Sequence, residues 1–197
     1  MQLILATRNA HKLEEIKAIF DFRGLDVLSA FDFPSIPDVL EDQDTLEGNA
    51  IKKAVEIAKA TGCWSMADDS GLEVFALGGA PGVYSARYAG EQCSYSDNND
   101  KLLEELAHQA DRSAQFRTVL ALSDPEGKVQ TLEGACPGQI IKDLRGANGF
   151  GYDPLFIPDG YTETFAELDS SIKNKISHRA RALQKASVEW AGLLSRQ

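Results

Sequence analysis

The segment FRTVLALSDPEGKVQTLEGAC, residues 116–136, constrains the fold more than any other part of the chain. Two runs rich in apolar and β-branched residues flank Asp124-Pro125-Glu126-Gly127, where proline presets φ and glycine accepts a positive one. This predicts a β-hairpin in the middle of the sequence. Around it, strand and helix periodicities alternate. A strand over LILAT (3–7) breaks at Arg8-Asn9 into a helix over 10–22, with Leu13, Ile16 and Phe20 at helical spacing and Gly24 as the stop. LDVLSA (25–30) is a second strand, followed by a loop holding Pro34 and Pro37. A helix over 45–60 has an Asp44-x-x-Glu47 capping pattern at its start and Gly62 past its end. Then come a strand closing on Asp68 and Asp69, a separate strand LEVFAL (72–77), the Gly/Pro-rich loop GGAPGVYSARYAG and a helix over 97–110. After the hairpin and the loop RGANGFGYDPLF, a final helix from about Ser177 to Ser195 buries Leu183, Ala186, Trp190 and Leu193. Such alternation at both ends of a hairpin predicts an α/β fold on a mixed sheet.

Composition narrows the function classes. At 197 residues the chain suits one globular unit with a sizeable core, and 43% hydrophobic with 25% charged residues excludes a disordered or fibrous chain. No apolar run is long enough to span a bilayer, and MQLILATRN lacks a basic leader, so a cytoplasmic protein without a membrane partner is expected. Cys63, Cys93 and Cys136 are widely spaced and form no zinc or disulfide pattern, which predicts reduced, structural thiols. A formal charge of −10 argues against general nucleic-acid binding. A phosphate-bearing ligand must therefore meet a local basic cluster.

Four polar clusters stand out. In TRNAHK (Thr7, Arg8, Asn9, Ala10, His11, Lys12) a strand turns into a helix, whose N-terminal N–H groups favour anions. Asn9 as a plain cap with a solvated Lys12 explains the spacing equally well. In EDQDTLEGNAIKKA, Lys53 falls beside Leu46, Ala50 and Ile57 on the helical wheel while Lys52 and Lys59 point away. Its stem would snorkel along the apolar stripe, or its charge would serve a buried anion. ADDSG brings two carboxylates together, which suits a divalent cation facing phosphates, although a bare Asp-Asp pair before Gly fits a solvated turn better. Finally, residues 170–188 carry Lys173, Lys175, Arg179, Arg181 and Lys185 with no acidic residue, an asymmetry that points to an anionic ligand in so acidic a chain. His178 and Arg179 open the last helix, with Ser177 as its cap. Upstream, Phe150 and Asp153 in GFGYDP suit stacking on a base and bonding to its edge.

Five ordered segments, ATRNAHK, ADDSGLEV, PGVYSARYAG, GANGFGYDPLF and FAELDSSIKNKISHRARAL, together resemble the inosine triphosphate pyrophosphatase family, from Leu3 to about Leu194. The resemblance implies a two-lobed α/β fold around a long mixed sheet flanked by helices, a single pyrophosphatase domain over 1–197 and a homodimer. It implies Mg2+-dependent hydrolysis of ITP, dITP or XTP to the monophosphate and pyrophosphate. By position, Asp69 matches the catalytic carboxylate, and Glu41 with Asp69 the magnesium pair. Thr7 to Lys12, Lys53, Ser70, Phe150, Gly151, Tyr152, Asp153, Lys173, His178 and Arg179 match the substrate-binding set. Arg8 stands where the family often has glycine. The resemblance has Phe150 stack on the base and donors near Lys173, His178 and Arg179 meet a 6-oxo edge. Competing readings are a phosphotransferase with Asp69 as nucleophile, a nucleotide-binding module without turnover, and a housecleaning enzyme for other modified nucleotides.

Overall fold

The computed structural model describes residues 1–20 and 24–194. Six strands form one sheet in the order β2-β1-β3-β4-β5-β6. They are β1 (Gln2–Leu5), β2 (Asp26–Ser29), β3 (Trp64–Val74), β4 (Ser113–Ser123), β5 (Val129–Ile140) and β6 (Phe156–Pro158). The helices are α1 (Ala10–Ile19), α2 (Leu46–Thr61), α3 (Tyr95–Glu105), α4 (Ser170–Ile176), α5 (His178–Glu189) and α6 (Ala191–Leu194). β1 pairs in parallel with β2 and with β3, and β5 pairs antiparallel with β6, so the sheet is mixed. The parallel neighbours need crossovers, which α1 and α2 supply.

Several boundaries differ from the expectations, each for a local reason. The aspartate pair does not end a strand: β3 runs unbroken through Asp68, Asp69, Ser70 and Gly71, both carboxylates are buried, and the solvated-turn reading fails. The run LEVFAL stops being a strand at Phe75, where Phe75–Leu77 winds into a 3₁₀ turn closed by Gly78. α2 is capped by Thr45, whose hydroxyl accepts from the Gly48 N–H, rather than by Asp44. α3 begins at Tyr95, because Ser94 and Asp97 close a reciprocal capping box there. The final helix starts at His178 as expected but is two: a break at Trp190 separates α5 from α6, which buries Leu194 while Leu193 stays half-exposed, and a short helix not expected, α4, precedes it and ends at Ile176. The expected end of that helix at Ser195, and the end of the first at residues 21–22, lie outside the described residues. The hairpin is longer than expected on both arms, with Gly127 at φ +89° in its turn and its N–H bonded to the Asp124 carbonyl.

Two compact units share these strands. The first comprises residues 1–69, 118–134 and 179–197; the second comprises 70–117 and 135–178. The core of the first unit packs Leu3, Leu5 and Met66 with Ile16 of α1 and with Leu183, Ala186 and Trp190. The core of the second gathers Leu72, Leu102, Leu155 and three phenylalanines, with Phe116 set edge-on to Phe156 at 4.8 Å between ring centroids. Arg112 ties the end of α3 to the end of β5 by donating to the carbonyls of Leu106, Ile140 and Ile141. No helix among the described residues is long and apolar enough to cross a membrane.

Trp190 is the largest fully buried side chain, with 1% of its surface exposed. Trp190→Ala is expected to cost about 3–5 kcal/mol of unfolding free energy through lost burial and the cavity left behind. Val188→Ala, at an exposed site on α5, is expected to change it by less than about 0.5 kcal/mol. Urea unfolding of both variants measures the contrast; equal midpoints would place Trp190 outside the cooperative core.

Candidate active site

Side chains alternate across a strand, so Asp68 and Asp69 leave β3 on opposite faces. Asp68 shares its face with Met66, toward α1 and α5. Its Oδ2 lies 3.2 Å from Lys12 Nζ and accepts from Arg179 Nη2 at 3.0 Å and Nε at 3.3 Å. Arg179, itself fully buried, also pairs through Nη1 with Glu15 of α1. Lys12 reaches this place because Asn9 caps α1, its side chain accepting from the Lys12 N–H, while Thr7 Oγ1 accepts from the Asn9 N–H. Asn9 thus caps α1 as expected, whereas Lys12 is not simply solvated but engaged by a buried carboxylate. Ala10 and His11 are exposed at the start of α1. Arg8 turns to the loop that follows β2, donating to the carbonyls of Phe33 and Ile36 and pairing with Asp38.

On the other face Asp69 meets α2. Asn49 Nδ2 donates to Asp69 Oδ2 at 3.1 Å, and Lys53 Nζ lies 3.5 Å from Oδ1. Lys53 also donates to Glu41 Oε1 at 2.5 Å and to the Asp68 carbonyl at 2.6 Å. A lysine only 8% exposed is therefore ringed by oxygen, and the snorkelling reading gives way to an ammonium that is the hub of an acidic loop and a strand. The Thr118 hydroxyl fixes the strand by donating to the Asp69 carbonyl at 3.0 Å.

The two aspartates acquire opposite electrostatics. Burial pushes the Asp68 carboxyl up, but the charges of Lys12, Arg179 and Lys53 overcome it and hold the group far below the usual carboxylate range. Burial also pushes Asp69 up, and there Lys53 and Lys12 offset it incompletely while Glu41 adds repulsion, so its pKa is raised. Asp68 is a permanent anion. Asp69 is the more basic carboxylate. For Glu41, burial raises the pKa, but the Lys53 charge, the hydrogen bond from Lys53 and the Lys12 charge together outweigh it to give a lowered value.

The second unit holds a separate cluster around residues 149–153. Asp153 is buried and does not present a free carboxylate edge: its Oδ2 accepts from Lys173 Nζ at 2.6 Å and from the Phe150 N–H at 2.9 Å. That fold-back requires Gly149, which sits at φ +76° and whose missing Cβ would lie 2.0 Å from Asp153 Oδ2. Lys173 Nζ lies 5.1 Å from the centre of the Phe150 ring. Asn99 of α3 donates to the Gly151 carbonyl at 3.2 Å, and the Tyr152 hydroxyl donates to the Ser85 carbonyl at 2.8 Å. His178 stacks on Phe116 at 4.9 Å with the rings 14° apart. Ser70 follows Asp69 in β3 and is half-buried.

With this geometry in view, residues 3–189 match the Ham1 family. The chain belongs to that family. It is 51% identical over 188 residues to a dITP/XTP pyrophosphatase of Desulforamulus reducens, covering 94% of each chain. It is 50% identical over 196 residues to one of Geobacter sulfurreducens, covering 98% of each. Among solved structures, the Staphylococcus aureus Ham1 protein superposes with a TM-score of 0.89 at 40% identity, over 98% of this chain and 100% of that one. A HAM1 protein from Coxiella burnetii gives 0.90 at 40% identity, over 98% and 99%. The mixed α/β fold is the one these Ham1 structures share.

Of the residues singled out in this Ham1-family chain, the first unit brings together Lys12, Glu41, Lys53, Asp69 and Arg179, and the second brings together Phe150, Asp153 and Lys173. Sequence reasoning missed Glu15 and Asn49. Asn49 falls four residues before Lys53 on the same helical face, a signal that was available; Glu15 pairs across 164 positions and left none. It also placed Arg179 among donors to a base, whereas its guanidinium is engaged by two carboxylates of the first unit. Arg179→Met is expected to cost about 3–5 kcal/mol, since Asp68 and Glu15 lose a buried partner. Chemical unfolding measures this, and a loss under about 1 kcal/mol would show that Lys12 suffices to hold Asp68.

Proposed function

We propose that this chain, acting as a single domain over 1–197, hydrolyses the non-standard purine nucleoside triphosphates ITP, dITP and XTP to monophosphate and pyrophosphate. One observation carries the reading: a buried carboxylate with raised basicity, Asp69, gripped by Asn49 and Lys53 in a chain half identical to dITP/XTP pyrophosphatases. Asp69 orients a water and takes its proton as the water oxygen bonds to the α-phosphorus. The bond from that phosphorus to the bridging oxygen breaks, and pyrophosphate leaves. Lys53, Lys12 and the N–H groups at the start of α1 bind the phosphate oxygens, with Thr7, Arg8, Asn9, Ala10 and His11 forming that segment and Ser70 next to the base. Arg179 acts through Asp68.

Mg2+ is the proposed cofactor. Glu41 and Asp69 both contact Lys53 Nζ, so the two carboxylates converge on one point, a donor set of hard oxygens that fits the ion. Among the described residues no group of three or more potential ligands gathers, and substrate oxygens and water would complete the shell. Held by these carboxylates beside the Lys53 ammonium, the ion would supply further neutralisation of phosphate charge. The proposed setting is a cytoplasmic homodimer, consistent with three free cysteines.

At the base, Phe150 is proposed to stack, with Lys173 and His178 as donors to the 6-oxo group and Gly151, Tyr152 and Asp153 shaping the loop. Adenine would face these donors with another donor and leave them unpaired. ITP with Mg2+ should yield IMP and pyrophosphate, with no orthophosphate until an inorganic pyrophosphatase is added. Asp69→Asn should lower kcat at least about a hundredfold. IDP with orthophosphate as products would instead support the phosphotransferase. Phe150→Ala should raise KM for all purine substrates together, by about tenfold for a lost stacking partner; an effect confined to kcat would remove the ring from base binding.

A further inference from the structure

The first turn of α2 contains Gly48 and Asn49, two residues that weaken a helix. Neither is explained by capping, which Thr45 supplies. Asn49 has no exposed surface, and both ends of its amide are used: Oδ1 accepts from the Gln43 N–H at 3.0 Å, and Nδ2 donates to Asp69 Oδ2 at 3.1 Å. The partners settle the amide's orientation, since a backbone N–H needs an acceptor and a carboxylate needs a donor. Gly48 answers to the same loop. A Cβ there would lie 2.8 Å from Gln43 Cβ and 3.1 Å from Thr45 Oγ1, so any larger residue pushes residue 43 off the helix. Glu41 stands two residues before Gln43.

We infer that Asn49, with Gly48 beside it, is a positioning residue of the reaction: it fixes the Asp69 carboxylate by one oxygen and locks the Glu41 loop to the same helix. The inference rests on the reading in which Asp69 acts on water. Lys53, one turn further along α2, approaches the other oxygen, Oδ1, so that two residues of one helix face define the carboxylate's plane. Without the Asn49 bond, Asp69 rotates about its side-chain torsions and the Glu41 loop loses its anchor.

The test uses the full chain with Asn49→Ala, Asn49→Asp and Gly48→Ala, each assayed well below its own melting temperature. Asn49→Ala should lower kcat for ITP at least about tenfold while KM moves less than about threefold, the split expected of a residue acting through the general base. In an Asp69→Asn background the same change should remove no more than about a further twofold, because both act as one unit. Asn49→Asp keeps the bond from Gln43 but loses the donor, and should also lower kcat; it carries the test if the alanine variant does not fold. Gly48→Ala leaves the amide intact but displaces Gln43, and should weaken Mn2+ binding, read by electron spin resonance without nucleotide, at least about threefold. Folded Asn49 variants with kcat within about twofold of the parent, or losses that add fully to that of Asp69→Asn, would overturn the inference. If the parent folds and binds Mn2+ but leaves ITP intact, the proposed function fails, and Mn2+ binding by Gly48→Ala still decides whether the loop is clamped.

Discussion

Consecutive side chains on an extended strand leave it from opposite faces, and in β3 that alternation separates Asp68 from Asp69. In a turn, the two carboxylates would share one environment and titrate against each other. Within the strand each meets a different set of helices. Asp68 faces α1 and α5, where Lys12 and Arg179 wait; Asp69 faces α2, where Asn49 and Lys53 wait. The strand interior is buried, so these contacts are strong enough to set the charge state of each group.

Opposite electrostatics have opposite consequences for stability. A depressed folded-state pKa means that Asp68 contributes stability fully above the ordinary carboxylate range, lost only as pH falls into far acid. A raised one means the reverse for Asp69: ionising it inside the fold costs stability once pH passes above its unfolded value. Asp68 with Arg179 and Glu15 is thus a structural anchor, while Asp69 is held in a less comfortable state than it would have in water. Such a state is the one that the proposed role of Asp69 as general base calls for.

Periodicity and turn chemistry made most of the scaffold legible. The hairpin at Asp124–Gly127, the buried face of α2 and the burial of Leu183, Ala186 and Trp190 follow from local rules. The failures share a cause. Asp68 and Asp69 read as a turn because carboxylates are rarely buried, and nothing local reveals cations supplied by residues 12, 53 and 179. The start of α5 at His178, behind Ser177, was legible, whereas α4 was not, because seven residues are too short a window for helical periodicity to show. Lys53 was legible as unusual from its helical face alone; that Asp153 serves as an internal partner for Lys173 was not, since the pairing depends on how Gly149 bends the loop.

The charge balance differs between the two units. In the first, Glu15, Glu41, Asp68 and Asp69 stand around Lys12, Lys53 and Arg179, so four carboxylates already engage three cations. The proposed triphosphate would add anions that these side chains do not neutralise, and this is the physical argument behind the proposed divalent cation beside Glu41 and Asp69. In the second unit, Lys173 is matched by Asp153 and lies over an aromatic ring, leaving the cluster without net charge. That balance suits the uncharged base proposed to bind there. The chain thus carries an acidic centre and a balanced aromatic one, and the difference between them follows from where the carboxylates fall along β3 and the 149–153 loop.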